Sequence, residues 1–165
     1  MGYSGALPRS VAMHRYILPI ATLLSLAVAV PSGATDTDLR TVAGMAQHNR
    51  VLLVFAPTMR DARLEAQREA MARFAAGALA RDLVLVQVSE GRVLGAHDVD
   101  RKLRRRFGTS APRFRLLLIG KDGRVAIDSE TPIDERRLQS AIDAMPVRQA
   151  EIRQAQAGQP VQGAE

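Results

Sequence analysis

Val51-Leu52-Leu53-Val54-Phe55 is a continuous apolar run, closed by Ala56-Pro57. Successive strand residues point to opposite faces, so an unbroken apolar run predicts a strand covered on both sides, as in a parallel or mixed sheet. Before it, Leu39, Val42, Ala43 and Met45 fall at near-helical spacing between Asp38 and Ala46 until His48-Asn49-Arg50 breaks the pattern, which predicts a short helix. After Pro57, the stretch from about Thr58 to Leu79 sets Leu64, Met71, Phe74, Ala75 and Ala78 along one side and Arg60, Arg63, Arg68, Glu69 and Arg73 largely elsewhere. That is one long amphipathic helix. Thr58 is placed to cap its first turn, with the Asp61 carboxylate near the free amides and the positive end of the helix dipole.

Arg81-Asp82 then turns the chain into Leu83-Val84-Leu85-Val86-Gln87-Val88, a second buried strand, and strand, helix, strand makes a crossover unit. Asp98 to Phe107 reads as a short basic helix with Val99, Leu103 and Phe107 four apart, ended by Gly108. Phe114–Ile119 and Arg124–Asp128 are two further strands joined by Gly120-Lys121-Asp122-Gly123, whose Asp-Gly step is hairpin chemistry. Pro132 and Asp134 open a last helix carrying Leu138, Ala141, Ile142 and Met145 on one face. Pro146 interrupts it, Val147–Gln154 offers a further helical piece, and the tail from Ala155 is expected to fray.

The N-terminus adds a different kind of signal. Arg9, His14 and Arg15 precede an apolar run from Ile17 to Val30, followed by Ser32-Gly33-Ala34, the layout of a secretory signal peptide cleaved near Ala34. The run is shorter than the roughly 20 residues that span a bilayer, so no permanent membrane span is expected. Met13 is a second possible start. The organisation expected is a signal peptide over 1–34, one domain over 35–148, and a helical extension with a flexible tail over 149–165. A periplasmic or secreted location follows.

Composition narrows the chemistry. The 165 residues hold 23 Lys and Arg against 17 Asp and Glu, for a formal charge of +6, and removal of 1–34 takes away Arg9 and Arg15 and no acid. Nearly all the positive charge is Arg, so the high pI is weak evidence for an anionic partner. There is no cysteine. Thiol-disulfide exchange and thiol peroxidase chemistry need a thiolate and are therefore excluded. No Gly-x-Ser-x-Gly and no phosphate-loop pattern occurs. His97-Asp98 with Asp100 is the one dense patch of potential metal ligands in the domain, and helix capping explains it more simply, so neither a metal nor a cofactor is expected.

The order of elements is that of an α/β, thioredoxin-like fold with a mixed four-stranded sheet flanked by helices. Phe55-Ala56-Pro57-Thr58-Met59-Arg60-Asp61-Ala62-Arg63 resembles the thioredoxin active-site segment, with Met59 and Ala62 where its two cysteines would stand, and Pro112 resembles the cis-proline that faces it. A fuller resemblance is to the family called domain of unknown function 4174. It rests on Asn49-Arg50-Val51-Leu52-Leu53-Val54-Phe55-Ala56, Arg81-Asp82-Leu83-Val84, Leu118-Ile119-Gly120-Lys121-Asp122-Gly123 and Ile142-Asp143-Ala144-Met145-Pro146-Val147-Arg148. The resemblance implies a thioredoxin-like domain without redox cysteines, found in short exported bacterial proteins and within animal extracellular-matrix and sushi-repeat proteins. It supplies no catalytic residues.

Two surfaces are candidates. The edge corresponding to the lost active site, Thr58, Met59, Arg60, Asp61 and Arg63 with Pro112 and Arg113, offers donors and an adaptable apolar contact to a protein partner in the envelope or outside the cell. The run Arg101-Lys102-Leu103-Arg104-Arg105-Arg106 is the strongest electrostatic feature and is expected either to bind an anionic polymer or to be a solvated helix face. Nucleic acid is disfavoured, since with no Trp, two Tyr and four Phe of buried pattern there is no stacking platform. The expectation is a binding module without catalysis. An enzyme using non-thiol chemistry remains the third reading.

Overall fold

A computed structural model of the chain describes Met1, residues 40–110 and residues 112–158. The apolar N-terminal run, the Ala34 boundary, the peptide bond preceding Pro112 and residues 159–165 lie outside the described residues.

Five strands, β1 (Arg50–Phe55), β2 (Leu83–Ser89), β3 (Arg92–Leu94), β4 (Arg115–Ile119) and β5 (Val125–Ser129), form one sheet in the order β3-β2-β1-β4-β5. β1 runs parallel to β2 and antiparallel to β4, while β2–β3 and β4–β5 are antiparallel. The all-apolar core of β1 explains its central place, because every one of its residues is buried and only a strand covered on both faces can accept such a sequence. Its side chains divide by parity. Leu52, Val54 and Ala56 join Leu64, Phe74, Ala78, Leu138 and Ile142 on one face, under the helices α1 (Ala62–Arg73), α2 (Ala75–Leu79) and α4 (Glu135–Asp143). Val51, Leu53 and Phe55 join Val86, Val88 and Leu117 on the other, under α3 (Asp100–Arg106), which contributes Leu103, and under the turn bearing Val42 and Met45. A last helix, α5 (Pro146–Ala157), follows α4 directly.

The architecture is the expected α/β one, a mixed sheet flanked by helices in broadly thioredoxin-like order, with one strand more than predicted. The additional strand is β3. It is joined to β2 by a two-residue turn in which Glu90 and Gly91 both have positive φ, at 50° and 76°, the sign pattern of a type I′ turn. Glutamate at such a position is not a turn signal, which is why the hairpin is silent in the sequence.

Other elements differ in detail. The helix expected over 38–46 is, from residue 40 on, a succession of turns with i to i+4 bonds from the Met45 amide to Thr41 and from the Asn49 amide to Met45, and a left-handed Gln47. The long helix expected over 58–79 starts only at Ala62 and is broken at Phe74, where ψ is 9°. The ring of Phe74 folds over Gly77 so closely that a Cβ there would lie 2.1 Å from it. Asp61, not Thr58, is the N-cap, accepting from the Arg63 amide at 2.9 Å. Asp98 does not cap α3 but accepts from the Val42 amide at 2.7 Å, which ties the leading turn to the connection between β3 and α3, and Val99 is exposed. Pro146 opens α5 at its first turn, and that helix continues to Ala157, past the residue where fraying was expected.

Candidate functional site

β1 and β2, being parallel, end on the same side of the sheet, and the segment after β1 meets the β2–β3 turn there. Residues 57–61 do not run straight into the helix. The Asp61 amide returns to the Thr58 carbonyl at 3.2 Å, so Thr58 and Arg60 are left exposed on a turn. Met59 is half-buried against the core and held from two sides. Its amide donates to Glu90 Oε2 at 3.1 Å, and its carbonyl accepts from Arg68 Nη1 at 3.1 Å, with Arg68 Nε also donating to Gln87 Oε1 at 2.6 Å. Between the two turns lies a groove of about 450 Å³ lined by Thr58, Met59, Arg60, Glu90 and Arg92.

On the other flank, Asp61 is committed to the helix. Besides capping, it takes a two-pronged contact from Arg63, Nε to Oδ1 at 3.1 Å and Nη2 to Oδ2 at 2.9 Å. The Arg63 guanidinium holds the Asp61 carboxyl below its usual range, the hydrogen bond being the main cause. The same guanidinium lies over the Phe114 ring, 4.9 Å from its centre. That contact joins the start of α1 to the segment leading into β4. Pro112 and Arg113 on that segment are exposed, and Arg113 meets Glu130 at 3.4 Å.

Two parts of the expected edge are thus present. Arg63, paired to Asp61, meets the segment leading into β4 at Phe114, whereas Thr58, Met59 and Arg60 open toward Glu90 and Arg92, which sequence reasoning missed because β3 was not read as a strand. Beside the first part is a polar hollow lined by Gly108, Thr109, Ser110, Arg113, Arg115, Asp128 and Glu130. Its arginines are already engaged. Arg115 forks onto Asp128 at 2.9 and 2.6 Å and also donates to Thr109 Oγ1 and the Phe107 carbonyl, and it holds the Asp128 carboxyl below its usual range.

The basic helix α3 is divided. Arg104 is turned inward, pairing with Asp100 Oδ1 at 2.5 Å, reaching the Val88 carbonyl at 3.4 Å and lying 5.4 Å from the Phe55 ring centre. Asp100 in turn accepts from the Gly91 amide at 2.9 Å, which fixes the helix to the β2–β3 turn. Arg101, Lys102, Arg105 and Arg106 face outward, the last over the Phe107 ring.

At the opposite end of the sheet is a charge network that the sequence did not disclose. Arg50, with a side chain wholly buried, donates to the Arg81 carbonyl at 2.8 Å and to Glu151 Oε2 at 3.1 Å. Glu151 also meets Lys121 at 2.7 Å and Arg148 at 3.3 Å, Lys121 reaches Asp82 at 2.8 Å, and Arg81 forks onto Asp143. The Arg81 hydrogen bonds hold the Asp143 carboxyl below its usual range.

Among the described residues no group of three or more His, Asp or Glu side chains is disposed to hold a metal, and no helix is long and apolar enough to cross a membrane. No curated protein matches the chain. Residues 41–151, a span running from the leading turn through Glu151, match the family described as Domain of unknown function (DUF4174), and the chain belongs to that family.

Proposed function

We propose that this chain is an exported thioredoxin-like module that has no thiol catalysis and works by holding another protein at the edge formed by Thr58–Arg63, the β2–β3 turn and Arg113. Export is supported by the order of basic, apolar and small residues from Arg9 to Ala34. One observation carries the binding reading. Where a redox thiol would be presented, the chain instead has an open groove with Arg60 and Arg92 on its wall and Met59 fixed by Glu90 and Arg68. A fixed backbone with outward guanidiniums is preorganised for recognition, since little ordering is left to do on binding.

Site-specific photocrosslinking tests this. A photoreactive residue at Thr58 or Arg92 is expected to capture a discrete partner from envelope and culture-medium fractions, and one at Arg136 on α4 is not. Arg60→Glu should remove the adduct formed from position 92. Capture from Arg136 alone, or none from either edge position, would defeat the reading. The exposed Arg101, Lys102 and Arg105 favour a second reading, retention on an anionic polymer. It predicts capture that depends on α3 and is indifferent to Arg60.

A further inference from the structure

Arg50, Arg63, Arg68, Arg73, Arg81, Arg104, Arg113, Arg115, Lys121, Arg124 and Arg148 each stand within ion-pair distance of a carboxylate. Among the described residues, Arg60, Arg92, Arg101, Lys102, Arg105 and Arg106 have no such partner and belong to the turn after β1, to β3 and to α3, while Arg136, Arg137 and Arg153, also without one, lie apart on α4 and α5. These three elements are physically joined. Arg60 and Arg92 line one groove, and α3 is fixed to the turn preceding Arg92 by the bond from the Gly91 amide to Asp100. The groove and the basic helix, separate candidates in the sequence, therefore form one cationic surface. Glu90 is held within it in a left-handed conformation unfavourable for glutamate, with its carboxylate on the Met59 amide.

We infer that the partner segment taken at this surface is an acidic stretch of polypeptide whose carboxylates are received by Arg60 and Arg92, with the α3 cations adding long-range attraction. This rests on the proposed binding role and names the chemistry of what is bound. Guanidinium forks match planar carboxylates in bidentate geometry. The Glu90 carboxylate in the same groove opposes an unbroken run of negative charge but tolerates carboxylates separated by uncharged residues, as in a polypeptide. All four phenylalanines are buried or half-buried, so bases of a nucleic acid find nothing to stack on.

The test uses the full chain and fluorescence anisotropy at physiological ionic strength. The probes are a labelled short peptide of alternating Glu and Thr, its Gln-Thr counterpart, heparin, and phosphatidylglycerol vesicles. The Glu-Thr peptide is expected to bind about tenfold more tightly than the Gln-Thr peptide, and Arg60→Gln with Arg92→Gln is expected to erase about that factor. Arg136→Gln with Arg137→Gln, which removes the same charge from α4, should change affinity by less than about twofold. Equal losses from both double variants would reduce the effect to net charge and overturn the inference. So would heparin or vesicles binding tightly while the Glu-Thr peptide does not. The comparison of the two peptides needs no variant, so a folding defect cannot mask the outcome. If Gln-Thr binds as well as Glu-Thr and still requires Arg60 and Arg92, the acidic chemistry is wrong and the binding role stands. If neither peptide binds and the Thr58 crosslink is also absent, both fall.

Discussion

Replacing Glu151 by alanine tests how much of the fold depends on one buried guanidinium. The Arg50 side chain is 0% exposed and carries two polar contacts, one to a carbonyl and one to Glu151. On loss of Glu151, Lys121 keeps Asp82 at 2.8 Å and Arg148 keeps Asp143 at 3.5 Å, but Arg50 retains no carboxylate. Removing one partner of a buried pair costs about 3–5 kcal/mol, because the remaining charge is left uncompensated in a low dielectric. Glu151 is 25% exposed, so water can enter the vacated space, and the lower end, about 3 kcal/mol, is the expected cost. For a chain of this size that corresponds to a fall in Tm of about 10 °C. Circular dichroism melts and urea titrations of the wild type, Glu151→Ala, Arg50→Met and the double variant Arg50→Met with Glu151→Ala give the cycle. The double variant should lose distinctly less than the sum of the singles, since removing both charges leaves none stranded. A drop below about 2 °C for Glu151→Ala, or strict additivity, would refute the argument that Arg50 is a compensated buried charge.

Gln67→Leu should destabilise by about 2 kcal/mol in urea unfolding. Fully buried Gln67 both accepts from the Ile133 amide at 2.8 Å and donates to its carbonyl at 3.2 Å, and leucine leaves both backbone groups unsatisfied. Asp61→Ala should cost about 1 kcal/mol, the usual loss for an N-cap, and amide exchange should quicken in the first turn of α1 only. Acid should destabilise the domain. Asp61, Asp128 and Asp143 are held below 3.8 chiefly by hydrogen bonds from Arg63, Arg115 and Arg81, and Glu151 below 4.5, where desolvation pushes upward but Lys121 and Arg50 prevail. Lowered folded values give stability that is present above those numbers and lost as pH falls through the folded pKa values, so the urea midpoint should decline below about pH 4.5. A midpoint that rises on acidification would contradict it. Intact-mass analysis of exported protein should show an N-terminus beginning after Ala34, and retention of Ile17–Val30 would argue for an anchor instead.

Legibility followed burial. Val51–Phe55, Leu83–Val86 and Leu116–Ile119, the apolar runs of β1, β2 and β4, are buried or half-buried on both faces and could be read directly. β3 could not, because three residues with exposed ends carry no periodicity and its turn begins with Glu90. The start of α1 was ambiguous since Thr58 and Asp61 are both capping residue types. What decides between them is the turn closed from the Asp61 amide to Thr58, a feature of the backbone path alone. Gln67 on a helix reads as a solvent-facing residue, and its burial is set by Ile133, which is distant in the chain. For Arg104 a signal existed. Asp100 stands four residues before it, the spacing that pairs charges on one helix face, so one cation of the basic run could have been set aside as internally satisfied. Arg50 had none, as its partner lies 101 residues away.

The distribution of charge separates what holds the domain together from what it offers to others. Asn49–Ala56, Arg81–Val84, Leu118–Gly123 and Ile142–Arg148, the stretches that carry the family resemblance, supply Arg50, Arg81, Asp82, Lys121, Asp143 and Arg148, all at the end of the sheet where β1 begins. There each cation meets an acid or a carbonyl, and Glu151 ties α5 into the same network. At the other end, where β1 and β2 finish, Arg60, Arg92, Arg101, Lys102 and Arg105 lie outside those stretches and have no ion-pair partner among the described residues. The charges of that frame are mutually neutralised and contribute to stability. Arg60 and Arg92 stand where no internal ion pair needs them, so substitutions there should alter binding with stability nearly unchanged, and substitutions at Arg50 and Glu151 should do the reverse. Binding and unfolding measured on the same four variants decide whether the two ends are independent. Loss of peptide affinity in Glu151→Ala under conditions where that variant remains folded would show that they are coupled through β1.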